Sequence, residues 1–317
     1  MLPEMTRVRA YTNSISAALV TLALAASPCI AQWTARSDTA KSNLVEKIGS
    51  GEIDWGGGYY YASGESLVPS PEEEPNRARA LLKAKGYAKM RAVADLRMAI
   101  DGTAVSHRAA GRDCITRDAD LRQTIEGYVA NVEIVSEQER ADGSETTVVV
   151  TVRAPMFGAN GVGSAIVKSR SARDLLEARS SDFSIERRGD AKASTIQPSA
   201  KGPFTSLIVD CSGFEVWPAI SPRIRRADGS EVWGTMSVDP DVLQARGTVG
   251  YARTVDDARR NPRAGSNPLI LKAIGRAGGR HMCDAVISDA DADRTLQENI
   301  SPRFLDKCNV LFVVDGS

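Results

Sequence analysis

Histidine is almost missing from this sequence: two in 317 residues. That excludes a histidine-rich metal centre. Aromatic residues make up only 5% of the chain. Net charge is missing too, because 40 Lys+Arg balance 40 Asp+Glu. The chain as a whole therefore offers no field to hold nucleic acid or an anionic membrane. No apolar run reaches the roughly 20 residues that span a bilayer, which excludes a polytopic membrane protein. What is present is ordinary: 42% hydrophobic and 25% charged residues, the mixture of a globular protein. The length suggests about two domains.

The first residues read as an export signal. Arg7 and Arg9 form a basic start, and residues 15–26 run without a charge. The run is too short to span a membrane and suits the core of a signal peptide. Cys29 and Ala31 are the small residues before an expected cut after Ala31. Met5 gives a better basic start than Met1, because it leaves Glu4 out. Pro28 stands where a lipoprotein signal carries a small residue directly before its cysteine. Ordinary cleavage is therefore expected, over lipidation of Cys29. Removing residues 1–31 leaves 38 basic and 39 acidic residues.

Beyond the signal, the pattern predicts an α+β protein of two small domains, each with a helix packed on a mostly antiparallel sheet. The first covers residues 50–155, a linker with a short helix near 171–178 covers 156–203, and the second domain covers 204–317. Residues 51–63 read as an irregular glycine-rich strand. Residues 76–101 form the strongest helix, starting after Glu72, Glu73, Glu74 and Pro75. Leu81, Ala84, Ala88, Ala92, Leu96 and Ile100 make one apolar stripe, and its alanines let a helix lie close on a sheet. Lys83, Lys85, Lys89, Arg91 and Arg97 fall largely outside it, on a solvated face, and Gly102 ends it as a C′ residue. Strands at 128–135 and 146–153 flank Asp142-Gly143, a hairpin signal. In the second domain, strands are expected around 207–209, 247–251, 268–274, 285–287 and 309–314. Helices are expected at 255–260 and 289–298, and a hairpin turns at Asp228-Gly229.

The search for chemistry finds no catalytic, cofactor or metal site. Residues 157–164 (FGANGVGS) have phosphate-loop glycine spacing, but Ser164 replaces the lysine that would meet the phosphates. A flexible loop is expected there. Asp289, Asp291 and Asp293 start like a calcium loop, but Arg294 and Ile300 stand where glycine and glutamate belong. They read instead as the acidic first turn of a helix capped by Ser288 or Asp289. His107 and His281 are isolated. Trp55, Tyr59, Tyr60 and Tyr61 beside Gly56-Gly57-Gly58 either stack on a ligand such as a glycan or seal the mouth of a small sheet. Trp217 and Trp233 read as core or interface anchors.

Export places Cys114, Cys211, Cys283 and Cys308 in an oxidising compartment, where four cysteines allow three full pairings. Free, buried thiols are the other reading. A Cys283–Cys308 disulfide is expected from topology. Each stands at the entrance of a strand, and the strands are joined through a helix. If they are parallel neighbours, their entrances lie together.

The alanine-rich helix Arg77–Gly102 and the hairpin strands after it resemble the twenty-kilodalton lipoprotein family. That family includes the flagellar outer-membrane accessory lipoprotein called flagellar assembly protein P. The resemblance covers about residues 50–155, and residues 207–234 and 267–275 look like an extension seen beside this domain. It implies an envelope protein of Gram-negative bacteria, linked to flagella or outer-membrane assemblies, with no catalytic residues to carry over. The expectation is a non-enzymatic assembly or scaffolding module of the periplasm or outer-membrane periphery. Its partners would be envelope or flagellar proteins or a second copy of itself, not nucleic acid. A glycan-binding module and an enzyme of unrecognised type are the alternatives.

Overall fold

The computed structural model describes residues 42–170, 172, 174, 183–187 and 202–315. The expected signal segment, Cys29 and most of the expected helix near 171–178 lie outside these residues. Strands β1 (Val45–Ile48), β2 (Gly51–Asp54) and β3 (Tyr59–Leu67) form a meander. The single irregular strand expected at 51–63 is thus two strands. Asp54 makes the turn between them, its carboxylate accepting the Gly57 N–H at 2.8 Å. Helix α1 (Arg77–Gly102) follows, capped by the Asn76 side chain on the Arg79 N–H. Short helices α2 (Gly111–Arg117) and α3 (Ala119–Ala130) lead to the hairpin β4 (Glu133–Asp142) and β5 (Glu145–Pro155). These strands close an antiparallel sheet in the order β1-β2-β3-β5-β4.

The strand expected to begin at residue 128 is a correction. Residues 128–130 are the last turn of α3, which buries Leu121, Ile125 and Val129. Those positions, four apart, satisfy helical spacing as well as alternation, and the Asp118 cap on the Leu121 N–H decides for the helix. The turn at Asp142-Gly143 stands as expected, with Gly143 at φ +61°.

Helix α1 lies on this sheet through small residues. It buries Ala80, Ala84, Ala88, Ala92, Leu96, Ala99 and Ile100. Leu81 is only partly buried. Gly102 does not leave the helical region; it is the last helical residue, where a Cβ would stand 2.6 Å from the Ile48 Cγ2. Of the basic residues beside the stripe, Lys83 pairs with Glu74 and Lys85 with Glu137, both at 2.7 Å.

Residues 157–164, expected as a flexible loop, turn directly into helix α4 (Val162–Lys168). Gly163 and Ser164 are buried there, and the Ser164 hydroxyl donates to the Gln244 carbonyl at 2.7 Å. Within the stretch expected as a linker, β6 (Ser184–Arg187) is a strand.

The C-terminal half departs from the expected antiparallel sheet. Strands β7 (Ser206–Asp210), β10 (Gly250–Ala252), β11 (Pro268–Lys272) and β14 (Val310–Val313) form an all-parallel sheet in the order β10-β14-β7-β11. The central strands SLIVD and VLFV are buried at every position. Uninterrupted apolar runs of this kind belong to parallel strands covered on both faces. A second sheet is mixed: β6, β12 (Gly275–Gly278), β13 (Asp284–Val286), β8 (Ile224–Arg225) and β9 (Glu231–Trp233), in that order. Helices α5 (Pro240–Arg246), α6 (Val255–Arg260) and α7 (Asp289–Asn299) complete the fold. Ser288 caps α7 by accepting the Asp291 N–H at 3.0 Å, so the acidic triplet is a capped first turn.

All described residues belong to one compact unit. One hydrophobic cluster spans both halves, with Ile53, Leu96 and Val150 from the first and Leu207, Tyr251 and Phe312 from the second. The Trp55 ring meets Tyr251 edge-on at 5.5 Å, and Tyr251 meets Phe312 at 6.2 Å. This aromatic chain joins the antiparallel sheet to the parallel one.

A candidate binding cleft at the ends of the parallel strands

Parallel sheets present ligand sites at the carboxyl ends of their strands, where connections diverge. At that end, β7 finishes in Asp210 and a tight turn. Asp210 accepts the Ser212 N–H at 3.0 Å and its hydroxyl at 2.6 Å. Lys272, the last residue of β11, reaches across to the Asp210 carboxylate at 3.0 Å and the Ser212 carbonyl at 2.8 Å. Asp315, just past β14, accepts the N–H groups of Gly213 at 2.8 Å and Glu215 at 3.3 Å. Three strand ends therefore hold one loop.

That loop is strained. Glu215 has φ +50°, a left-handed conformation that costs free energy for a residue with a Cβ. Arg276 helps to hold it, donating to the Glu215 carbonyl at 2.8 Å. The Trp217 N–H is tied to the Met282 carbonyl at 2.9 Å, yet 52% of the residue remains exposed.

Facing this loop is β1. Between them lies a cleft of about 850 Å³, lined by Val45, Glu46, Lys47, Glu215, Val216, Trp217, Pro218 and Asp315. Its lining carries three acids and one base. Glu46 accepts the Trp55 indole N–H at 2.7 Å. Burial raises the Glu46 pKa above the usual carboxylate value, with the indole bond opposing. The walls hold an aromatic face, a proline and carboxylates, which suits recognition of a basic, partly apolar ligand.

The residues singled out from sequence lie elsewhere. Trp55, Tyr59, Tyr60 and Tyr61 are each at most 7% exposed. Arg153 covers the Tyr59 ring at 4.6 Å, and Tyr60 is fully buried. They seal the sheet, and no ring is open enough to stack on a sugar. Trp233 is buried, so of the two tryptophans read as anchors only Trp217 reaches the surface.

The expected Cys283–Cys308 bridge is a further correction. Cys283 precedes β13 in the mixed sheet and Cys308 precedes β14 in the parallel one, so the strands are not neighbours. Cys114, Cys211, Cys283 and Cys308 are all free and buried. Burial pushes the Cys114 thiol up to about 12 and the Cys308 thiol up to about 11, and Cys211 and Cys283 shift upward as well. Such thiols are poor nucleophiles.

One buried polar joint links the loop after α1 to the mixed sheet. Asp284, fully buried, receives Arg225 Nε at 2.6 Å and the Arg223 N–H at 3.0 Å. His107 Nδ1 stands 3.9 Å from the same carboxylate. Burial holds the His107 pKa below its usual value, with Asp284 opposing. His281 is lowered for the same first reason. Among the described residues no group of three or more His, Cys, Asp or Glu is arranged to hold a metal ion. No helix among them is long and apolar enough to cross a membrane.

Comparison with known proteins points to this same half of the molecule. Residues 206–316 match the family model described as Treponema pallidum Tp0624, second domain. The matched stretch starts with β7 and ends just past β14. It therefore contains the whole parallel sheet and the loop wall of the cleft, while β1 lies outside it. It also lies outside residues 50–155, where the lipoprotein-family resemblance is expected from the sequence. No curated protein matches the chain.

In the sequence Trp217 reads only as an anchor, and nothing in it singles out Glu46, Glu215 or Asp315. The signal in the sequence is two apolar runs, residues 207–209 and 310–314, each followed by an aspartate, Asp210 and Asp315, with Gly213 in the turn after the first.

Proposed function

We propose that this protein is an exported, non-enzymatic module of the bacterial envelope that scaffolds or assembles other envelope proteins, flagellar ones included. The observation that carries the reading is the cleft between β1 and the 215–218 loop, with a half-exposed tryptophan on a strained, well-tied loop. An aromatic anchor at a recess is the usual centre of a protein–protein contact. The basic, uncharged-core start of the sequence supports export to the periplasm or the outer-membrane periphery. The lipoprotein-family resemblance of the first half supports an envelope role.

Two measurements test this. N-terminal sequencing of the protein recovered from the envelope fraction is expected to begin at or near Gln32. A photo-cross-linking residue at position 217, in living cells, is expected to mark envelope proteins. An intact N-terminus in the cytoplasm, or cross-links only to cytoplasmic proteins, would overturn the reading.

A further inference from the structure

We infer that the cleft takes an extended, basic segment of a partner protein, which pairs with β1 as an added strand. The inference rests on the scaffold reading above and names its partner chemistry. Strand β1 is terminal in its sheet, and among the described residues its one strand neighbour is β2. The Trp55 N–H donates to the Leu44 carbonyl at 3.0 Å, which sets the phase of the ladder. Hydrogen-bonded pairs alternate along an antiparallel strand. Glu46 and Ile48 therefore turn their main chain toward β2, while Val45 and Lys47 turn theirs outward. Those outward N–H and C=O groups lie along the strand edge, where an extended chain can pair with them in place of water.

The cleft lies along this open edge. Its lining includes three consecutive residues, Val45, Glu46 and Lys47, whose side chains alternate between the two faces of the sheet. A recess touching all three runs beside the strand edge. Opposite stands Trp217, placed to cover an apolar side chain of the incoming segment. Charge selects the segment. Glu46, Glu215 and Asp315 line the cleft with Lys47, and Arg276 pairs with the Glu215 carboxylate at 3.5 Å, which leaves one acid in excess. A segment carrying lysine or arginine complements that excess.

The test uses the purified protein and a fluorescent six-residue peptide alternating lysine and valine. Anisotropy is expected to show saturable binding, and a glutamate–valine peptide is expected not to bind. Amide exchange is expected to slow at Val45 and Lys47 when the lysine peptide is added. Val45→Pro removes one outward N–H and keeps both the Lys47 charge and the inward ladder, since proline is tolerated on an edge. It is expected to weaken binding about tenfold, and Trp217→Ala by a similar factor. The Trp217 variant leaves β1 intact and so guards against a folding defect in the proline variant. No binding of the lysine peptide, equal binding of both peptides, or binding without protection at Val45 and Lys47 would overturn the inference. If the peptide fails while position 217 still cross-links to envelope proteins, only this inference falls. If the peptide pairs but the chain stays in the cytoplasm, only the envelope reading falls.

Discussion

Gly64 on β3 passes so close beneath Ala88 on α1 that a Cβ at position 64 would stand 2.1 Å from the Ala88 carbonyl oxygen. The same Cβ would lie 2.5 Å from the Ala92 amide nitrogen. Both are backbone atoms of a 26-residue helix and cannot step aside singly. Gly64→Ala must push the helix off the sheet. It is expected to cost about 3 kcal/mol or more, at the upper end for overpacking. Chemical denaturation checks this. A loss under about 1 kcal/mol would mean that the helix rides higher than described.

The same contact separates two neighbouring positions on α1. Ala88 is fully buried against the strand, whereas Lys89 is only half-buried. Ala88→Leu is expected to cost about 1–3 kcal/mol. Lys89→Leu is expected to change stability by about 0.5 kcal/mol or less, the range for surface substitutions. Urea midpoints of the two variants, measured side by side, decide the matter. Equal losses would show that the helix face is wrongly assigned.

Acid should loosen the joint at Asp284. The folded pKa values of His107 and His281 lie below the ordinary value near 6.5. The unfolded chain then binds protons more readily than the folded one, so protonation favours unfolding. Their contribution is fully present above about pH 6.5 and is lost as the pH falls through the lowered folded values. Melting temperature is expected to drop between about pH 7 and about pH 5.5, and less steeply in the double variant His107→Gln/His281→Gln. A flat profile in the parent protein would contradict the shifts.

The cysteines give a direct chemical readout. In the native protein, Cys114, Cys211, Cys283 and Cys308 are expected to resist a thiol reagent for as long as the fold holds, because all four are buried. Denaturant should expose all four together. Mass spectrometry without reduction should find Cys283 and Cys308 unlinked. A recovered Cys283–Cys308 peptide pair would reverse the assignment.

Much of the secondary structure is local and was therefore legible. The alanine stripe of α1, the Asp142-Gly143 turn, the Asp228-Gly229 turn and the Ser288 cap depend on residues a few positions apart. Their physics is complete within one turn of chain. Helix α3 was not expected at all, because residues 121–134 satisfy two periodicities at once, and the Asp118 cap breaks the tie only when its geometry is seen.

The sequence by itself determined the alanine helix on an antiparallel sheet and most of the apolar strands of the C-terminal half. Tertiary structure decided which strands became neighbours. Residues 284–286 and 310–313 read as successive strands of one unit, yet they entered different sheets, which dissolved the expected disulfide. Strand pairing between distant segments is chosen by packing across the whole core, and no local signal encodes it. The cleft arose in the same way. Val45 and Lys47 precede Trp217 by about 170 residues and Asp315 by about 270, by the numbering. The aromatic contact from Trp55 to Tyr251, with the packing of both halves onto a shared core, brings the open edge of β1 to the ends of the parallel strands.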